Sequence, residues 1–183
     1  LTAATDDIQT IIEGCIRNDR KAQERLYKQF YGALGAICMR YTKSEQDAIE
    51  LLNDGFLKIF KNIQQYDKSK GALYTWMSRI VTNCCIDFLR KQQEVFFSPV
   101  EEHTDDVHLD NTALQQMDAQ ELLSLIRQLP PATKLVFNLH VIEGYPHKEI
   151  ADMLKMREGT SKWHVNEARK LLQKKIHLLA AAS

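Results

Sequence analysis

Turn-forming residues are scarce in this 183-residue chain, which has seven glycines and four prolines. That scarcity disfavours a turn-rich β architecture and favours long helices. No run of eighteen apolar residues occurs, so no membrane insertion is expected. The first residues lack a basic segment followed by an apolar one, so no secretory leader is expected. The four cysteines, Cys15, Cys38, Cys84 and Cys85, include no C-x-x-C pair and no histidine at metal-ligand spacing. Three lie on or beside apolar helical stripes, where cysteine acts as a small hydrophobe. No metal or cofactor is expected, and a reducing cytoplasm is the simplest setting. Paired carboxylates, a Ser/His/Asp set and a phosphate-binding loop are also missing, which argues against an enzyme.

Charge of neither sign is in excess: 24 Lys and Arg face 24 Asp and Glu. A uniformly basic nucleic-acid binder is disfavoured, but local segregation is not. Segregation is in fact present. Residues 93–112 hold six acidic side chains and no Lys or Arg, whereas Lys162, Arg169, Lys170, Lys174 and Lys175 crowd a stretch whose one acid is Glu167.

What the sequence does contain is helical periodicity. From Leu73 to Lys91, Leu73, Trp76, Met77, Ile80, Val81, Cys84, Phe88 and Leu89 recur at steps of mostly three and four, as on the buried stripe of an amphipathic helix. Arg79, Asn83, Ile86 and Arg90 recur on another face, which is either solvated or in reach of phosphates and base edges. Upstream, a short helix is expected over Thr5–Ile16, with Asp6 and Asp7 in its first turn. A longer one follows over Asp19–Tyr41, its stripe including Leu26, Phe30, Ala33, Leu34, Ile37 and Cys38. A third opens at a Ser44 cap and carries Ala48, Leu51, Leu52, Gly55, Phe56, Ile59, Phe60 and Ile63 without a miss. Its opposite face bears Asp47, Glu50, Asn53, Asp54, Lys58 and Lys61. Residues 64–71 read as a polar loop. Residues 93–112, acidic and containing Pro99, read as a flexible linker in which Val95, Phe96 and Phe97 form an apolar patch.

The second half predicts helices over 113–129, from Pro131 to about Glu143, and over 146–154. A turn is expected at 155–159, then a helix capped by Thr160 and running to Ile176. A short helix, a tight turn and a basic helix make a helix-turn-helix, with Ser161, Lys162, His164 and Asn166 facing a major groove. The fold class is therefore all-α: two helical domains (1–92 and 113–183) joined by a flexible linker (93–112).

Two stretches resemble one family. AIELLNDGFLKIFKNI followed by LYTWMSRIVTNCCIDFLRK looks like region 2 of an RNA polymerase sigma factor of the extracytoplasmic-function (ECF) group, sigma-70 family. LPPATKLVFNLHVIEGYPHKEIADMLKMREGTSKWHVNEARKLL looks like region 4. The resemblance implies a monomer without catalysis that binds core RNA polymerase and promoter DNA and is held by an anti-sigma factor. It implies polymerase contacts through Glu50, Asn53, Asp54 and Phe56. It implies −10 contacts through Asn62, Lys68, Lys70, Trp76, Arg79, Asn83, Arg90 and Lys91, with base capture by the loop from about Asn62 to Lys70. It implies −35 contacts through Thr160, Lys162, Trp163, His164, Asn166 and Arg169. The chain departs from the family where Asn53-Asp54 replaces Gln-Glu, and at Lys155, Ser161, Trp163 and Glu167. The rival reading is a dimeric helix-turn-helix regulator that needs no polymerase and reads a palindrome.

Overall fold

The computed structural model describes residues 2–92 and 119–180. The predicted linker, its Val95-Phe96-Phe97 patch and the start of the helix expected from Ala113 lie outside them. The chain divides into two compact units, residues 1–92 and 93–183.

The first unit contains α1 (Thr2–Ile16), α2 (Arg20–Tyr41), α3 (Glu45–Asn62) and α4 (Leu73–Lys91). Because α1 begins at Thr2, Asp6 and Asp7 fall beyond its first turn, where the sequence had placed them. Asp19 caps α2, its carboxylate accepting from the Lys21 amide at 2.8 Å. Ser44 caps α3 by accepting from the Asp47 amide at 3.1 Å. A 3-10 turn, Ile63–Gln65, ends α3 and leads into the loop before α4. Helices α2, α3 and α4 pack mutually, and α1 lies on α2 and on the 3-10 turn. Leu26, Leu34, Ile37, Leu52, Ile59, Met77 and Val81 are fully enclosed. Each such side chain contributes about 1.5–3 kcal/mol by leaving water. Two glycines set the helix spacing: a Cβ on Gly55 would stand 2.9 Å from Val81 Cγ2, and one on Gly14 would overlap Ala22. Ala33 is exposed rather than on the stripe. Ile86 is 3% exposed, so it belongs to the core and not to the polar face of α4.

The second unit contains α5 (Ala119–Arg127), α6 (Pro131–Phe137), α7 (His147–Leu154) and α8 (Glu158–Ala180). Pro131 starts α6 as expected. The helix does not stay α-helical to Glu143: Asn138–Ile142 widen into a π turn. The wider turn changes the phase of the side chains, so Leu139 is fully buried whereas Ile142, three residues on, is 39% exposed. Gly144 then turns the chain at φ +78°. Leu125, Ile126, Leu129, Phe137, Ala168, Leu172 and Ile176 form one cluster under α8. Lys155 ends α7 in the left-handed region, at φ 54°. Helix α8 starts at Glu158, two residues before the expected cap. Thr160 is therefore inside the helix and only 7% exposed.

Candidate nucleic-acid and polymerase interfaces

Three surfaces emerge. The first is the outer face of α3. Glu50, Asn53 and Asp54 are all exposed on it. The Glu50 carboxylate accepts from Gln46 Nε2 at 3.1 Å, and Asn53 Oδ1 accepts from the Tyr27 hydroxyl at 3.2 Å. These bonds fix two of the three polar groups. Phe56 does not belong to this surface: it is 2% exposed, with its ring 4.5 Å from Tyr27 and 5.8 Å from Phe60. Its role is to seat the face on the core. Leu57, which the sequence reading passed over, is 60% exposed. It follows Asn53 by one helical turn, so an apolar side chain stands beside the acidic ones. The signal for it was a leucine out of phase with the buried stripe.

The second surface is a cleft of about 320 Å³ between the loop after the 3-10 turn and the start of α4. Tyr66, Asp67, Lys70, Thr75, Trp76 and Arg79 are among its lining residues. The Tyr66 and Trp76 rings lie 5.8 Å apart, and the Tyr66 hydroxyl donates to the Gly71 carbonyl at 3.1 Å. Gly71 adopts φ +153°, which glycine takes without strain. Of the predicted −10 residues, the structure brings Lys70, Trp76 and Arg79 together here. Asn62 is engaged elsewhere: it donates to the Lys58 carbonyl (2.8 Å) and accepts from Gln65 (3.1 Å), closing the end of α3. Lys68 is exposed on the loop and is not among the residues lining the cleft. Along α4, Asn83, Arg90 and Lys91 continue the exposed face from Arg79. Asp87 lies on the same helix, 3.7 Å from Arg90 and 3.9 Å from Lys58. Such exposed pairs are weak and can exchange for phosphate.

The third surface is the outer side of α8. Lys162, Lys170 and Lys174 are exposed, and Trp163, Asn166, Glu167 and Arg169 are half-buried. Lys162 pairs with Glu158 at 2.8 Å, and Asn166 Oδ1 accepts from Arg169 at 3.5 Å. Thr160, Ser161 and His164 are turned inward. His164 is 5% exposed, with Nδ1 3.1 Å from Thr133 Oγ1, so the expectation that it faces a groove is corrected. Burial pushes its pKa down to about 4, because an imidazolium there would lose its hydration. The Trp163 ring stands edge-on to it at 4.9 Å. A parallel link ties Ser161 Oγ to His147 Nδ1 at 3.0 Å. The His147 ring stacks on His140 at 3.9 Å, and His140 Nδ1 donates to the Tyr145 carbonyl at 2.8 Å. Burial first, then His140 and Lys162, hold the His147 pKa below its ordinary value. These buried polar links orient α8 on α6 and α7.

The four cysteines are buried and none is in a disulfide. Burial, and then Asp19, push Cys15 up to about 11, which keeps it a thiol. Among the described residues no three His, Cys, Asp or Glu are grouped to hold a metal, and no helix is long and apolar enough to cross a membrane.

Comparison with known proteins bears on these surfaces. Residues 26–95 match the Sigma-70 region 2 family and residues 119–172 match Sigma-70, region 4. The ECF RNA polymerase sigma-E factor of Haemophilus influenzae is 25% identical over 93% of this chain and 96% of its own length. The sigma-E factor of Escherichia coli K12 is 23% identical over 93% and 95%. Among solved structures, CnrH in complex with the cytosolic domain of CnrY shares the fold at TM-score 0.51, with 18% identity over 95% of this chain and 97% of that one. The sigma factor RpoE of Bartonella quintana, solved with the anti-sigma factor NepR, does so at 0.52, with 20% identity over 82% and 94%. With both regions present in order, this chain belongs to the ECF group of the sigma-70 family, non-enzymatic factors that direct RNA polymerase to promoters.

Proposed function

We propose that residues 1–92 bind core polymerase and the −10 element, that residues 113–183 bind the −35 element, and that residues 93–112 connect them. In this reading Glu50, Asn53 and Asp54 engage the clamp-helix coiled coil of the largest polymerase subunit, with Leu57 supplying the apolar centre that such contacts need. The 66–72 loop and α4 open the duplex by capturing an extruded base in the cleft. Tyr66 and Trp76 offer aromatic faces for stacking, while Arg79, Asn83, Arg90 and Lys91 track the strand. Stacking and cleft contacts offset an unpairing cost of a few kcal/mol. Lys162, Trp163, Asn166 and Arg169 read the −35 duplex, with Lys170 and Lys174 near its phosphates. Thr160 and His164 act from below, by holding α8. The protein works as a cytoplasmic monomer restrained by an anti-sigma factor; the solved complex of the similar RpoE with NepR supports that partner class.

The observation that carries this reading is the cleft: aromatic rings and cations around a nucleotide-sized space, on the helix that also presents an exposed polar strip. Run-off transcription with bacterial core polymerase on a genomic-fragment library tests it. Discrete starts should depend on the protein and disappear with Asn53→Ala/Asp54→Ala. Duplex binding without any starts would refute it.

A further inference from the structure

Three elements of the second unit meet at a pair of stacked imidazoles. His140, on the π turn, and His147, at the start of α7, face each other at 3.9 Å with an interplanar angle of 24°. His140 is tied to the Tyr145 carbonyl, and His147 Nδ1 to Ser161 Oγ on α8. The Ser161 hydroxyl can donate to a neutral ring or accept from a charged one. His147 can therefore gain a proton without losing this link. Two imidazoliums in contact would repel each other, so the pair takes one proton.

The charged groups facing His147 are His140 from the π turn and Lys162, Glu158 and Arg169 from α8. Lys148 and Glu149 follow it on α7. After burial, His140 and Lys162 do most to hold its pKa down, Arg169 adds to them, and Glu158 opposes. In the free chain Lys162 is paired with Glu158 at 2.8 Å, and both side chains are about half exposed. A phosphate that draws Lys162 out of this pair has two effects on His147. It neutralises a nearby cation, and it leaves the Glu158 carboxylate without its partner. Both favour the imidazolium. Arg169 turning to a phosphate acts in the same direction. We infer that binding of the −35 duplex is proton-coupled, with His147 taking up the proton as a positioning residue between α7 and α8. The inference rests on the proposal that Lys162 and Arg169 contact the −35 element. Because the bound chain holds more protons than the free one, affinity rises as pH falls from 7.5 toward 6.

The test measures the affinity of the full chain for a duplex carrying the −35 element of a promoter found by run-off transcription. Fluorescence anisotropy at fixed ionic strength is read at pH 7.5 and pH 6.0. Wild type should bind about threefold tighter at pH 6.0. His147→Gln, compared with itself at the two pH values, should change by less than about 1.5-fold. Glu158→Gln, which lacks the carboxylate that binding sets free, should respond less than wild type. A flat wild-type profile overturns the inference, and so does an undiminished response in His147→Gln. Thermal melting at both pH values shows whether each variant is folded. Should His147→Gln fail to fold, proton NMR of the wild-type chain decides. The His147 imidazole should titrate at higher pH once the duplex is added, and an unmoved titration overturns the inference. If Lys162→Ala and Arg169→Ala bind the duplex as tightly as wild type, the −35 reading itself fails, and the coupling with it.

Discussion

Acidification should loosen the C-terminal unit, and His164 should be the main reason. The imidazole is 5% exposed, hydrogen-bonded to Thr133, and held neutral down to about pH 4. In the unfolded chain it titrates near 6.5. A depressed folded pKa means that the unfolded state binds more protons between these values. The stabilisation is then complete above about pH 6.5 and lost as pH falls toward 4. The difference corresponds to about 3 kcal/mol in total, with about 1 kcal/mol already lost at pH 5.5. His147 pulls in the same direction. Urea unfolding of a Trp76→Phe chain leaves Trp163 as the one indole, so the transition reports the second unit. The midpoint, not the intensity, is the readout, because His164 lies against that ring. Between pH 7.5 and 4.5 the histidine form should lose about 2–3 kcal/mol more than His164→Gln does. Parallel pH curves for the two proteins would refute the reasoning.

Other outcomes follow from single contacts. Gly55→Ala should destabilise the first unit by about 1–3 kcal/mol, since its methyl meets the buried Val81 side chain; urea unfolding followed by Trp76 fluorescence measures this. Lys155→Gly should stabilise the second unit by about 1 kcal/mol, because a non-glycine residue there occupies the left-handed region; its melting curve should shift upward. Leu57→Ala should weaken binding to core polymerase by about 1–2 kcal/mol in a titration, while leaving −35 duplex affinity unchanged. Arg169→Ala should lower the salt slope of duplex binding by about one, whereas substituting Ile86 should change stability and not that slope.

The helices themselves were determined by the sequence alone. The unbroken stripe from Ala48 to Ile63, the caps at Asp19 and Ser44 and the Pro131 start are local features, set by periodicity and by backbone groups a few residues apart. The exposed polar strip of α3 and much of the α4 strip were legible for the same reason. The tertiary structure decided which residues the site can use. His164 lies three residues from the buried Ser161 and four from the buried Ala168, and Thr133, 31 residues away, supplies the partner that holds it inward. Thr160 lies inside α8 because that helix begins two residues before the cap its sequence suggests. Ile86 was set by packing against other helices, and Ile142 by a π turn that no simple period announces. The cleft arises where Tyr66 and Trp76 meet across a loop turned by Gly71. Periodicity assigns a residue to a face; whether that face meets water or a neighbouring helix depends on contacts distant in sequence.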